Sequence, residues 1–162
     1  MSTKDATNST NETKRLIIMA YELKTEIMIG AGPDKIWEHL SDFPSYPSWN
    51  PFVTSVEGQI SEGASFKVTL QPPGGKPMVF KPRCLAYKPG KEFRWLGHLL
   101  IPGLFDGEHI FELQEKENGQ TQFIQREKFK GILVPLFKKM LETQTRAGFE
   151  KMNQALKERA EK

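Results

Sequence analysis

FDGEHIFELQEKENGQTQFIQREKFK, residues 105–130, consists of two runs of alternating apolar and polar residues that flank an Asn-Gly pair. Alternation of this kind is typical of a half-buried strand, and an Asn-Gly pair between two such runs predicts an antiparallel hairpin. A three-residue loop at 117–119, with Gly119 in the left-handed conformation, would pair Lys116 with Gln120. The fold is therefore expected to be built around an antiparallel sheet.

The register of this hairpin determines which side chains meet on its inner face. With a three-residue loop, counting back along both runs places His109 opposite Glu127. A two-residue loop would set inward-facing Phe111 against outward-facing Arg126 and break the facial pattern that normally determines register. We therefore predict a His109–Glu127 contact on the inner wall, with Trp95 of the neighbouring strand nearby.

Five further runs have the pattern of strands, and turn signals rich in Gly and Pro separate most of them. These runs cover residues 21–29, 52–59, 65–71, 78–87 and 91–99. Two short helices are expected after the first strand, where Pro33 suits the first position of a helix. From about residue 135 to the end, apolar residues recur at three- and four-residue steps, which predicts one long amphipathic helix. The order of elements is that of an α+β protein, in which a curved antiparallel sheet of about seven strands wraps around the C-terminal helix.

Length and composition fit one domain with a single core. The chain has 162 residues, 38% of them hydrophobic, and we assign residues 21–162 to the domain and residues 1–20 to a disordered polar tail. The formal charge of +3 comes from basic and acidic residues mixed along the chain, which argues against a nucleic-acid partner. No apolar run is long enough for a membrane span or a signal peptide, and Cys84 is the only cysteine, so a cytoplasmic location is expected. The oligomeric state is left open.

Small and polar residues at inward-facing positions indicate that the space between sheet and helix is not completely filled. Gly97 and Gly107 remove volume from the sheet, whereas Gln144 and Gly148 lie where a packed helix face would favour Leu or Ile. We therefore expect an apolar cavity that binds a small hydrophobic molecule. The expected lining consists of Trp49, Phe66, Met78, Phe80, Phe93, Trp95, His109, Phe111, Gln125, Glu127, Phe129, Phe137, Met140, Leu141, Gln144 and Gly148.

Three roles are open to the His109–Glu127 pair. The two side chains could orient a polar group of the ligand, act as general acid and base, or satisfy each other within an apolar wall. If the protein is an enzyme, His109 and Glu127 are the candidate catalytic residues. The alternation and the strand register do not by themselves assign a catalytic role to either. The three histidines fall on different elements and opposite faces, so no metal site is expected. No phosphate-binding loop or dinucleotide motif occurs, and no cofactor is expected.

An ordered set of motifs across residues 21–161 resembles the SRPBCC superfamily, and within it the polyketide cyclase/dehydrase and lipid-transport group of START-like proteins. The motifs are IW (36–37), DF (42–43), YPSWNPF (46–52), FRWLG (93–97), FDGEH (105–109), REKFKG (126–131) and MNQAL (152–156). The resemblance implies a helix-grip fold with a deep hydrophobic pocket between the sheet and the C-terminal helix. None of these motifs is a catalytic signature.

The resemblance leaves the activity open, because such relatives include lipid carriers, cyclases and chaperone activators. Our leading hypothesis is the binding, with transport as an extension, of a lipid, isoprenoid or polyketide-like molecule. The first alternative is a cyclase or dehydratase that uses His109 and Glu127 as acid and base. The second alternative is a protein-interaction module of the chaperone-activator type, whose interior would be filled.

Overall fold

A computed structural model describes residues 19–162, so the predicted tail lies almost wholly outside the described residues. The strands are β1 Ala20–Ile29, β2 Val53–Glu57, β3 Lys67–Leu70, β4 Met78–Phe80, β5 Arg83–Lys88, β6 Glu92–His98, β7 Asp106–Glu115 and β8 Thr121–Lys130. The helices are α1 Pro33–Ser41, α2 Tyr46–Trp49, α3 Val134–Met140 and α4 Arg146–Ala160. Strands, two short helices and a long helical C-terminus confirm the predicted α+β class.

The strands form an antiparallel sheet in the order β1-β8-β7-β6-β5 and a second one in the order β2-β3-β4. The prediction of a single strand at 78–87 is wrong, because β4 and β5 are separated at Lys81 and Pro82. Proline has no amide hydrogen to donate to a neighbouring strand. Its carbonyl still accepts a hydrogen bond from the Phe66 amide at 3.1 Å, which joins the two sheets at this bend. Sheets of five and three strands therefore replace the predicted seven strands.

The β7–β8 hairpin has the predicted register. His109 lies opposite Glu127 along the strands. The Lys116 amide donates a hydrogen bond to the Gln120 carbonyl at 2.8 Å, which closes the predicted loop. Not only Gly119 but also the preceding Asn118 has a positive φ, at 72° and 64°, and asparagine tolerates this conformation better than most residues. The turn chemistry and the facial alternation thus agree on one register.

The C-terminal helix lies against the sheet, but it is not one regular helix. Residues Leu141–Thr145 form a π-helical turn between α3 and α4, in which the Arg146 amide donates to the Leu141 carbonyl five residues earlier. The wider turn changes the angular position of the side chains, so Thr145 is buried and Gln144 is exposed. This corrects the expectation that Gln144 faces the sheet. Beyond the turn, α4 buries Phe149, Met152 and Leu156 completely.

Gly148 is the point where α4 and the Phe52 ring approach each other most closely. A Cβ atom built on Gly148 would overlap the ring of Phe52, which is only 1% exposed and packs edge-on against Phe149 at 5.3 Å. The missing side chain therefore makes room for a neighbouring ring. This corrects the expectation that Gly148 leaves space for a ligand.

Replacing Gly148 with alanine is expected to lower the free energy of unfolding by about 1–2 kcal/mol, measured by urea denaturation. Alanine favours a helix over glycine by about 1 kcal/mol, but forcing a methyl group into a packed site costs about 1–3 kcal/mol or more. Adding Phe52→Leu to this variant relieves the overlap, so the double variant should lose less stability than the two single losses added together. A Gly148→Ala protein more stable than the unmodified chain would show that the Phe52 ring can move aside.

Candidate functional site

A cavity of about 70 Å³ opens between the concave side of the sheet and the C-terminal helix. Seven of the predicted lining residues meet there: Met78, Phe80, Trp95, Glu127, Phe129, Met140 and Leu141. The cavity is also lined by residues outside the predicted lining: Phe52, Val68, Leu70, Pro72, Pro82, Gly97, His98, Leu99, Phe105, Gly107 and Thr145. Gly97 and Gly107 among them were expected to remove volume from the sheet. Its wall is mostly apolar and aromatic, as is typical of sites for small molecules.

Nine of the predicted residues do not line this cavity, namely Trp49, Phe66, Phe93, His109, Phe111, Gln125, Phe137, Gln144 and Gly148. Most belong to aromatic packing that fills the deeper part of the interior. Phe93 is in contact with Trp95 at a ring-centroid distance of 4.9 Å and with Phe111 at 6.0 Å. The space left open is therefore confined to one end of the concave face.

Some of the missed residues had a signal in the sequence, whereas others had none. Val68 and Leu70 follow Phe66 at steps of two, so strand alternation from Phe66 would have placed them on the same face. Leu99 and Phe105 had the same signal, because they continue the inward-facing positions of Gly97 and Gly107 at steps of two. Pro72 lies between β3 and β4, outside the strands, where no periodicity predicts a facing direction.

Glycines in β6 and β7 create the space in this part of the wall. Gly97 lies opposite Gly107 in the sheet, and a Cβ atom built on Gly97 would meet only Pro82, at 3.8 Å. A Cβ atom built on Gly107 would overlap Oε1 of Glu127. Gly97 thus leaves open volume in the cavity, while Gly107 leaves room for a carboxylate.

Glu127 is the acidic residue of the cavity wall, and its side chain is 11% exposed. Its Oε2 atom lies 3.5 Å from Nδ1 of His109, which is too long for a good hydrogen bond. Oε1 faces the position where Gly107 has no side chain. A carboxylate so placed can accept a hydrogen bond from a bound molecule or exchange a proton with it.

His109 supports this carboxylate from behind the cavity wall. Its ring is 0% exposed and stacks on Trp95 at a centroid distance of 4.6 Å, which confirms the predicted proximity. Nε2 lies 3.0 Å from the Gln125 amide nitrogen. If that amide donates, Nε2 accepts and the ring proton resides on Nδ1, directed at Glu127. His109 is therefore placed to position Glu127, and it does not itself line the cavity.

The mouth of the cavity carries the other ionisable lining residue, His98. Its Nδ1 atom lies 2.7 Å from Oδ1 of Asp106. The same carboxylate accepts a hydrogen bond from the Gly103 amide, which ties down the loop that joins β6 and β7. On this loop Leu100 and Ile101 are exposed. Among the described residues, no lysine or arginine lines the cavity.

Two other buried groups are ionisable but lie outside the cavity. Burial raises the pKa of the Tyr46 hydroxyl far above its ordinary range, and this hydroxyl donates a hydrogen bond to the Leu40 carbonyl. Burial also raises the pKa of the Cys84 thiol. Both groups stay neutral at physiological pH, and a neutral thiol is a poor nucleophile. Among the residues that line the cavity, Glu127 and His98 are therefore the ones that can gain or lose a proton.

Within residues 19–162, no three His, Cys, Asp or Glu side chains cluster in a way that could hold a metal ion. None of the helices in this part of the chain is both long and apolar enough to cross a membrane.

Several solved structures have the same fold. Zhui aromatase/cyclase from Streptomyces sp. R1128 is 15% identical, with a TM-score of 0.72 over 88% of this chain and 94% of that one. TTHA0849 from Thermus thermophilus is 18% identical, with a TM-score of 0.66 over 86% of this chain and 97% of that one. The di-domain ARO/CYC BexL from the BE-7585A biosynthetic pathway is 13% identical, with a TM-score of 0.70 over 88% of this chain and 50% of that one.

At these identities the structural likeness shows the fold alone. No curated protein sequence matches the chain. Residues 21–161 match the sequence model of the family described as polyketide cyclase / dehydrase and lipid transport. Because this match covers nearly all of the described residues, the chain belongs to the polyketide cyclase / dehydrase and lipid transport family.

Proposed function

We propose that the protein binds a small, largely apolar molecule in the cavity between the sheet and the C-terminal helix. The observation that carries this proposal is a mostly apolar cavity with a carboxylate in its wall. Protein cores normally leave few voids, and apolar pockets with a few polar groups are typical of small-molecule sites. Membership of a family described by polyketide cyclisation and lipid transport supports the same kind of ligand.

The size of the cavity limits what can enter without rearrangement. At about 70 Å³ it is small beside the pockets that enclose whole drug-sized molecules. Met78 and Met140 form part of its wall, and methionine side chains adapt readily to the shape of a neighbour. We expect a lipid or polyketide-like molecule to displace these two side chains, with part of the ligand extending through the mouth.

A cyclase or dehydratase activity is the second candidate, and Glu127 is the observation that favours it. Its carboxylate lies on the cavity wall, within reach of a bound molecule. His109 does not line the cavity, so it would act through Glu127 and not on the substrate. Under this reading Glu127, and not His109, is the member of the pair that touches the substrate. An interaction module with a filled interior is less well supported, because the cavity remains open.

Native mass spectrometry and dye binding test the proposal. The purified protein is expected to retain an apolar small molecule or, if it is empty, to bind the neutral dye N-phenyl-1-naphthylamine at one site with an increase in fluorescence. Such dyes fluoresce when they leave water for an apolar pocket. A protein that carries no organic molecule in repeated preparations and does not bind the dye would contradict the proposal.

A further inference from the structure

We propose, on the basis of the proposed binding function, that the ligand presents a hydrogen-bond donor, a hydroxyl or a protonated amine, to Glu127. Apolar molecules with a carboxylate or phosphate head are bound more weakly in this orientation. The inference concerns the chemical class of the ligand's head group and rests on three features of the cavity.

The first feature is the unmet hydrogen-bonding capacity of the Glu127 carboxylate. In the described part of the chain its side chain faces Nδ1 of His109 at 3.5 Å, and that nitrogen is itself buried without a hydrogen-bond partner. The carboxylate borders the cavity with its side chain only 11% exposed, so water can satisfy it only in part. A ligand that donates a hydrogen bond to this carboxylate satisfies it further, which makes the donor a source of affinity.

The second feature is the charge of the cavity wall. Its lining includes no lysine or arginine among the described residues, and the histidine at its mouth, His98, already pairs with Asp106 at 2.7 Å. An anionic head group beside Glu127 would face a like charge at short range with no cation to compensate it. The wall therefore selects against anions and favours neutral or cationic donors.

The third feature is the space that Gly107 provides. A glycine inside a strand weakens the strand and commonly marks a close approach by another group. Here any side chain at position 107 would collide with Oε1 of Glu127. The carboxylate thus lies in a gap that a glycine leaves open, at the cavity wall and in the neighbourhood of Phe129. The glycine thus gives the acceptor room to lie at the cavity wall.

Four probes with the same apolar body and different heads test the inference: 4-phenylbutanol, 4-phenylbutylamine, 4-phenylbutyrate and butylbenzene. Binding is followed by NMR titration of the full chain, using the amide signals of Gly107 and Glu127. The alcohol and the amine are expected to bind at least about 10-fold more tightly than butylbenzene, because hydrogen bonds to a charged group are stronger than neutral ones. The butyrate should bind most weakly of the four.

The isosteric variant Glu127→Gln links the preference to this residue. It should remove the advantage of the amine and improve the binding of the butyrate relative to the other probes. Glu108→Gln is the matched control, because Glu108 lies one residue from His109 on the opposite face of β7 and does not line the cavity. That variant removes the same net charge and should leave the order of affinities unchanged.

Equal binding of the four probes, or an unchanged amine preference in Glu127→Gln, would overturn the inference and leave apolar binding itself intact. Failure of the alcohol and the amine to bind up to their solubility limits would also overturn it. Failure of the probes and of N-phenyl-1-naphthylamine together would instead remove the proposed function and the inference with it.

Discussion

Replacing Gly97 with leucine is expected to weaken binding of N-phenyl-1-naphthylamine, or of the natural ligand, by about 100-fold, which corresponds to about 2.8 kcal/mol. The new side chain would project from β6 into the cavity, where a Cβ atom meets only Pro82 at 3.8 Å. Leucine would then occupy volume that the ligand needs. Since φ of Gly97 is not in the left-handed region, the backbone tolerates the change, and the midpoint of urea denaturation should move little.

Gly32→Leu is the matched control for this experiment. Gly32 precedes α1 and does not line the cavity, and nothing lies within 4 Å of a Cβ atom built there. The variant adds the same apolar side chain to the protein and should keep the affinity of the unmodified chain. Undiminished dye binding by Gly97→Leu would place the bound molecule elsewhere, for instance on the exposed side chains of Leu100 and Ile101.

Replacing His109 with alanine is expected to lower the free energy of unfolding by about 3–5 kcal/mol, as for other large buried rings. The ring is fully buried against Trp95, and its centroid lies 4.9 Å from that of Phe149. Its loss would open a hole among packed aromatic rings and would leave the Gln125 amide without the partner it has at 3.0 Å. Urea denaturation at pH 7 measures the change.

His98→Ala provides the comparison, because His98 is a partly exposed histidine whose Nδ1 atom contacts Asp106 at the surface. Even a charged pair at the surface contributes about 0–1 kcal/mol, so this variant should remain nearly as stable as the unmodified chain. If His109→Ala also proves nearly neutral, the ring does not support the wall as its contacts indicate. A His109 variant that folds normally but loses turnover of an identified substrate would instead favour the enzymatic alternative.

The His109–Glu127 pairing could be predicted because two independent constraints agreed. Side chains alternate with a period of two along a strand, and a shift of one residue would have exposed Phe111. The loop at Asn118 and Gly119 allowed only a few lengths. The ordered motifs likewise pointed to the family that the match over residues 21–161 confirms. A cytoplasmic location and a disordered tail at residues 1–20 remain predictions.

The strand break at Pro82 could have been found, because proline within a run that resembles a strand argues against an uninterrupted strand. The exposure of Gln144 could not have been predicted, because a helical projection assumes a constant angle per residue. The π-helical turn at Leu141–Thr145 changes that angle. Gly97 and Gly148 show a different limit. Both glycines suggested empty space. The structure shows that the Phe52 ring fills the space at Gly148, whereas the space at Gly97 stays open.

The π-helical turn at Leu141–Thr145 interrupts a segment whose periodicity predicts one regular helix. Residues at the turn line the cavity, and residues after it pack in the core. Met140 and the two ends of the turn, Leu141 and Thr145, border the cavity, whereas the buried face of α4 is part of the core. Leu141 belongs to both sets, because it also packs in the core. The break in helical phase thus gives the cavity-lining residues and the core face of α4 different angular positions.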